Sequence, residues 1–109
     1  MANPEHTAAL KAGVDEWNKW RAKQGDLRPD LSASSLPGEY LRGADLSWCN
    51  LSTTDLSGAI LIRSKLLGAN LSQAKLIGAD LTSADVQLAN LSGSEAMSAR
   101  LPSARWPTP

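Results

Sequence analysis

The chain has 109 residues, 42% of them hydrophobic, and its 11 basic residues balance 11 acidic ones to a formal net charge of zero. That length fits one soluble domain with a modest core and leaves no room for two. The balance supplies neither the basic field that draws nucleic acid nor the acidic field that imitates it, and a single cysteine, Cys49, rules out an intrachain disulfide.

In chain order, the start MANPEHTAALKAG lacks the charged-then-apolar pattern of a signal peptide, and no apolar run reaches membrane-spanning length. The expected location is cytoplasmic, with no membrane partner. Residues 1–27 read as a capping helix and its connector, 28–106 as a repeat domain and 107–109 as a tail. The helix is expected over residues 4–24, with Asn3 as N-cap, Pro4 at the first helical position and Gly25 just past the end. Leu10, Val14, Trp17 and Arg21, flanked by Ala9, Gly13 and Trp20, share one face, while Lys11, Asp15, Asn18 and Lys19 are expected to stay wet. Trp17 and Trp20 need a surface to cover. That surface is either a partner or the open end of the repeat domain, whose terminal unit would otherwise expose core and unpaired edge.

From Leu31 onward an apolar residue recurs at every fifth position. Leucine holds each place from 31 to 81, followed by Val86, Leu91, Ala96, Leu101 and Trp106. Five steps along an α-helix rotate a side chain by 140°, and five along a strand flip its face, so neither element buries this row on one side. The chain must turn a corner once per repeat. Two places before each apolar residue stands a small one, such as Ala44, Cys49, Thr54 or Ala59, with Glu39 the exception. Alternation puts positions i−2 and i inside and the other three outside.

A spacing of twenty identifies four sides. Asp30-Leu31-Ser32, Asn50-Leu51-Ser52, Asn70-Leu71-Ser72 and Asn90-Leu91-Ser92 repeat one triplet, a polar ladder on one face. Asp55, Lys75 and Glu95, and likewise Asp45, Lys65, Asp85 and Arg105, alternate in charge at the same spacing. Stacked coils would set opposite charges over one another, each exposed pair contributing about 0.2 to 1 kcal/mol. Gly38, Gly58 and Gly78 also align, as expected of a corner.

The segments GADLS, GANLS, GADLT and LANLS resemble the A(D/N)LXX signature of the pentapeptide-repeat family, over roughly residues 28 to 106. The resemblance implies an all-β solenoid: a right-handed quadrilateral β-helix with four pentapeptides per coil and just under four coils, preceded here by the N-terminal capping α-helix. The lead-in LKAGVDEWNKWRAKQGDLRPDLS is similar to that of some bacterial members. Strand spacing gives a stack about 15 to 19 Å tall. At its far end Pro102, Pro107 and Pro109 blunt strand addition, and Trp106, on a core position, plugs the last coil, or else that coil pairs with a second copy to form a homodimer.

Chemistry is sparse. His6 has no second histidine or cysteine nearby and is expected at the surface; Cys49, at an inward site, is expected as a buried structural thiol. The outward Asp and Asn residues fit ladder hydrogen bonding rather than paired-carboxylate catalysis. No phosphate loop, nucleotide fingerprint or zinc spacing occurs, so no catalytic, cofactor-binding or metal residues are assigned and an enzyme is not expected.

What departs from the pattern is apolar residues at outward positions: Tyr40, Ile60 and Ile62 on one face, Trp48, Leu67 and Leu88 on the next, Ile77 and Met97 on a third. These form an interaction patch, or else the helix bearing Trp17 and Trp20 folds back over them. The resulting reading is a structural or protein–protein interaction module. Family resemblance supplies the alternative, DNA-mimic binding to type II topoisomerase (gyrase) with quinolone protection, for which this chain is too short and too neutral.

Overall fold

The computed structural model describes residues 2–102. Its only regular elements within that span are two helices, α1 (Pro4–Lys11) and α2 (Val14–Ala22), in place of the single helix expected over 4–24. The break is at Gly13, whose φ of 114° lies in a region that residues with a Cβ rarely adopt. The expected start holds: Asn3 Oδ1 accepts from Glu5 N at 2.9 Å, and Pro4 follows it.

After the connector the backbone turns a corner every five residues. At each corner the second residue after the inward leucine takes a left-handed φ, from Ala33 (57°) through Trp48 (60°) and Gln73 (60°) to Ser98 (61°), glycine filling some of these places and larger residues the others. The leucine carbonyl then accepts from the amide three residues on, as in Thr54 N to Leu51 O at 3.2 Å and Ala74 N to Leu71 O at 3.1 Å. A positive φ at the third residue alone, with that bond, is a type II turn.

Successive coils meet in parallel at residues twenty apart: Asp30, Asn50, Asn70 and Asn90 form one column, with three further columns through Asp55, Ile60 and Lys65. Leu51 N donates to Asn70 O at 2.7 Å and Thr53 N to Ser72 O at 2.9 Å, and the same pair recurs on the other sides. Among the described residues no side becomes a strand, and the coils of the expected solenoid join through single-residue bridges. Corners five residues apart leave too short an extended run for a continuous ladder.

The inward positions make a dry column. Leu31, Leu46, Leu51, Leu56, Leu61, Leu66 and Leu71 are fully buried, with Ala44, Cys49, Ala59, Ala69 and Ala74 beside them. Each buried leucine contributes about 1.5 to 3 kcal/mol of transfer free energy, so the stack itself is the main source of stability. Polar residues at the small position are handled unequally. Thr54 Oγ1 donates to Leu31 O at 2.8 Å, whereas Ser64 Oγ is buried without a partner.

The first coil has no predecessor to satisfy its amides and carbonyls, and the helices supply substitutes. Asp30 N donates to His6 Nδ1 at 2.9 Å, and Asp30 O accepts from Asn3 N at 2.9 Å. On another side Trp17 Nε1 donates to Asp45 O at 2.7 Å, and Asn18 bonds both Asp45 N (2.8 Å) and Gly43 O (3.1 Å). Arg21 donates to the carbonyls of Leu27 and Ser47. Two expectations are thereby corrected. Asn18 is turned inward rather than wet, and His6 is buried rather than superficial, because the coil edge needs acceptors and donors that only side chains can bring.

Among the described residues the opposite end is open. Leu91 is half-buried where Leu71 is fully buried, and Leu101 is 48% exposed.

Candidate functional site

The chemistry-bearing residues are absorbed by structure. Cys49 is buried, and that burial pushes its thiol up to about 12 despite the opposing charge of Arg21, which leaves no thiolate for nucleophilic attack at neutral pH. Among the described residues no three of His, Cys, Asp and Glu converge to hold a metal ion. The polar column does not bond along the stack as expected. Each side chain turns to the amide two residues ahead: Asn50 Oδ1 accepts from Ser52 N at 3.1 Å, Asn70 from Ser72 N at 3.0 Å, and Asp55 from Ser57 N at 3.0 Å. These are Asx turns, preferred because the partner is fixed by the same corner. Hydrogen bonding from Ser32, Ser57 and Thr82 holds Asp30, Asp55 and Asp80 below the usual carboxylate range; for Asp55 the Lys75 charge is the weakest contributor. Asp45, Lys65 and Asp85, and Asp55, Lys75 and Glu95, do stand in register, but the local turn dominates over the charge ladder.

The outward apolar residues are where the surface is unusual. Tyr40 and Ile60 pair across a bridge, with Tyr40 66% exposed and Ile60 partly buried. Ile62 lies on the same side, half-buried. Around the corner, Leu67 is half-buried, Trp48 39% exposed and Leu88 65% exposed. Ile77 and Met97 occupy a third side, both exposed. Among the described residues the helices bond the first coil at Asp30, Gly43, Asp45 and Ser47, and Tyr40, Trp48 and Leu88 remain open to solvent. Trp17 is completely buried and packs against Trp20 in a tilted arrangement with ring centroids 5.0 Å apart. Trp106 lies outside the described residues.

Two contributors escaped the sequence reading. Arg28, Trp48, Gly68 and Leu88 occupy one corner column, twenty residues apart. The Trp48 ring lies flat along it: a Cβ placed on Gly68 would come within 2.3 Å of Trp48 Cε3. Arg28 sits over the Trp48 ring, its guanidinium carbon 4.9 Å from the centroid, a cation–π contact. The periodicity of twenty held this signal, but the corner glycines that drew notice were Gly38, Gly58 and Gly78, and Gly68 was not among them. Beside Trp48, Arg21, Asp26, Leu27 and Arg28 line a shallow cavity of about 270 Å³ at the connector.

A family model for pentapeptide repeats matches residues 30–61, 40–76 and 54–93, in 8 copies. No curated protein sequence matches the chain. Among solved structures, a pentapeptide repeat protein from the cyanobacterium Nostoc PCC 7120 is similar at 36% identity and TM-score 0.69, over 83% of this chain and 74% of that one. A thylakoid-lumen pentapeptide repeat protein from Arabidopsis thaliana is similar at 32% identity and TM-score 0.37, over 64% of this chain and 52% of that one. HetL, from Nostoc sp. strain PCC 7120 and involved in heterocyst differentiation regulation, is similar at 31% identity and TM-score 0.34, over 65% of this chain and 42% of that one. The first of these likenesses implies a right-handed quadrilateral β-helix for the repeat domain.

Proposed function

Because the chain belongs to the pentapeptide-repeat family, whose members are structural and interaction modules, we propose that it is a non-enzymatic protein-interaction module working through two adjacent sides of its coil. The supporting observation is the set Tyr40, Ile60, Ile62, Trp48, Leu67 and Leu88, apolar at outward positions that elsewhere hold Ser, Asp, Asn or Lys, and left uncovered by the helices. An exposed apolar surface in a rigid frame is what a docking face requires. The exposed Arg42 and Arg63 border it, so the matching partner surface is apolar at its centre and acidic at its edge. Nothing in the comparisons supports the type II topoisomerase alternative, and the zero net charge argues against DNA mimicry.

The test pairs Ile60→Lys with Leu67→Lys. Both side chains are only partly buried, so melting should stay nearly unchanged. Proteins retained from a host extract by the native chain should be lost with the double variant, and light scattering on the native chain shows whether the bound species is a second copy. Equal retention by both chains, without self-association, would remove this face from consideration.

A further inference from the structure

The shallow cavity of about 270 Å³ between the connector and Trp48 carries two arginines and one aspartate on its walls, Arg21, Arg28 and Asp26. Arg21 is half-buried, with Nη1 and Nη2 donating to the carbonyls of Leu27 and Ser47 and Nε buried without a partner. Carbonyls supply dipoles but no charge, and the Cys49 thiol, on which the Arg21 charge acts, stays protonated because burial pushes it up to about 12. Among the described residues neither guanidinium has a carboxylate in ion-pair reach, and Asp26, on the same wall, pairs with neither. Positive charge partly withdrawn from water and left uncompensated is costly, and an anion in the cavity would relieve it.

We propose that this cavity is a carboxylate site, the seat of an acidic side chain of the protein partner that docks on the adjoining apolar side. The inference rests on the docking face proposed above and deepens it, since Trp48 is both a wall of the cavity and a member of that face. Charge selects the class of anion. Two guanidiniums against one carboxylate leave a single positive charge, which one carboxylate neutralises and a phosphate dianion exceeds. Shape agrees. The Arg28 guanidinium lies over the Trp48 ring, and its N–H groups have no acceptor among the described residues, so a planar fork is held in one orientation and open to a carboxylate through two parallel hydrogen bonds. Gly68 supports this from the next coil, because a Cβ there would displace the ring on which Arg28 rests. The cavity adjoins the side that carries Trp48, Leu67 and Leu88, so a partner segment that sets Asp or Glu against Arg28 lays its neighbouring apolar side chains onto that side.

The experiment uses the full-length chain, isotope-labelled for NMR, with the Trp48 indole signal identified by its absence in Trp48→Phe. The probe is the blocked tripeptide acetyl-Glu-Leu-Leu-amide, compared with acetyl-Gln-Leu-Leu-amide and with inorganic phosphate. The Glu peptide should shift the Trp48 indole and Arg28 Nε–H resonances and approach saturation by about 10 mM, and the Gln peptide should bind about tenfold more weakly. Phosphate at about pH 8, a dianion, should bind more weakly than the Glu peptide. Arg28→Gln, a change at an exposed position, should abolish the response at Trp48 and leave the rest of the spectrum in place, while Arg28→Lys, which keeps the charge and loses the fork, should restore only part of it. Equal binding of the two peptides, no shift at Trp48 up to about 10 mM, or undiminished binding by Arg28→Gln would each overturn the proposal, and tighter binding of phosphate would overturn the choice of a carboxylate. If Arg28→Gln does not fold, Arg28→Lys takes its place in the comparison. The anchor and the face fail separately. Host proteins lost with the Ile60→Lys and Leu67→Lys double variant but fully retained by Arg28→Gln would overturn the anchor and leave the face standing. Saturable binding of the Glu peptide, with host proteins retained equally by the double variant, would overturn the face and keep the carboxylate site.

Discussion

Gly68 holds its position for lack of a side chain, and the indole of Trp48 shows why: a Cβ there would stand 2.3 Å from two of its ring atoms. Gly68→Ala is therefore expected to lift the ring, break its contact with Arg28, cost about 1 to 3 kcal/mol and red-shift tryptophan emission. Gly93→Ala is the control. There the Cβ meets only the end of the flexible Gln73 side chain, which can move aside, so the tryptophan spectrum should not change. At the inward small positions, Ser64→Ala should be neutral or stabilising by about 1 kcal/mol because it deletes an unpaired buried hydroxyl, while Thr54→Ala loses a made hydrogen bond and should destabilise by a similar amount; urea melts of the two variants decide. Asp30, Asp55 and Asp80 titrate lower in the folded chain than the ordinary value near 3.9 of an unfolded one. The unfolded chain thus binds more protons in that window, so stability is at its full value above about pH 5 and falls as pH drops through 4 and below. Replacing the three by Asn, which already makes the same turn at positions 50, 70 and 90, should flatten that acid limb in melts followed by circular dichroism. The inward residues were legible in the sequence because a strict period leaves one side of the chain dry. The Asx turns were not, because the same Asp and Asn residues at the same spacing fit bonding along the stack equally well.

At the level of elements, each coil rests on two neighbours and the ends on one. Leu71 lies completely buried in the middle of its column, and Leu91 is half-buried at the end. Leu71→Ala should cost about 2 to 5 kcal/mol and Leu91→Ala distinctly less, a ranking that denaturant unfolding of the two variants checks. The helices act as the missing coil: Trp17, Asn18, His6 and Asn3 bond groups that a preceding coil would have bonded. The sequence announced a cap through its two tryptophans and its Asn3-Pro4 start. It did not announce the break at Gly13, which sat on the apolar face of a plausible single helix, nor the inward turn of Asn18, since a polar residue on a polar-looking face gives no sign that a backbone edge is waiting for it. The candidate face was legible for the complementary reason. Ile60, Ile62 and Leu67, like Tyr40, Trp48 and Leu88, violate the outward polar rule, whereas Arg28 and Gly68 violate nothing and emerged only when residues twenty apart were placed over one another.

For the whole molecule, the proposed docking face, the capped end and, among the described residues, the open end all follow from one relation, the return of the backbone to the same side after twenty residues. That return sets Tyr40 on Ile60 and Trp48 along Gly68. It also gives a frame rigid enough to present a face without reorganising, since in an interior repeat the amides of Asn50, Leu51 and Thr53 are tied to adjoining coils while those of Cys49 and Ser52 are held within the turns. The most direct test is a nuclear Overhauser spectrum of the amide and α protons in solution. Contacts should connect residue n with residue n+20 throughout the span from 30 to 100, including Asn50 with Asn70 and Lys65 with Asp85. A series at fifteen or twenty-five residues, or no regular series, would contradict the four-sided coil and with it the placement of every residue assigned to the face.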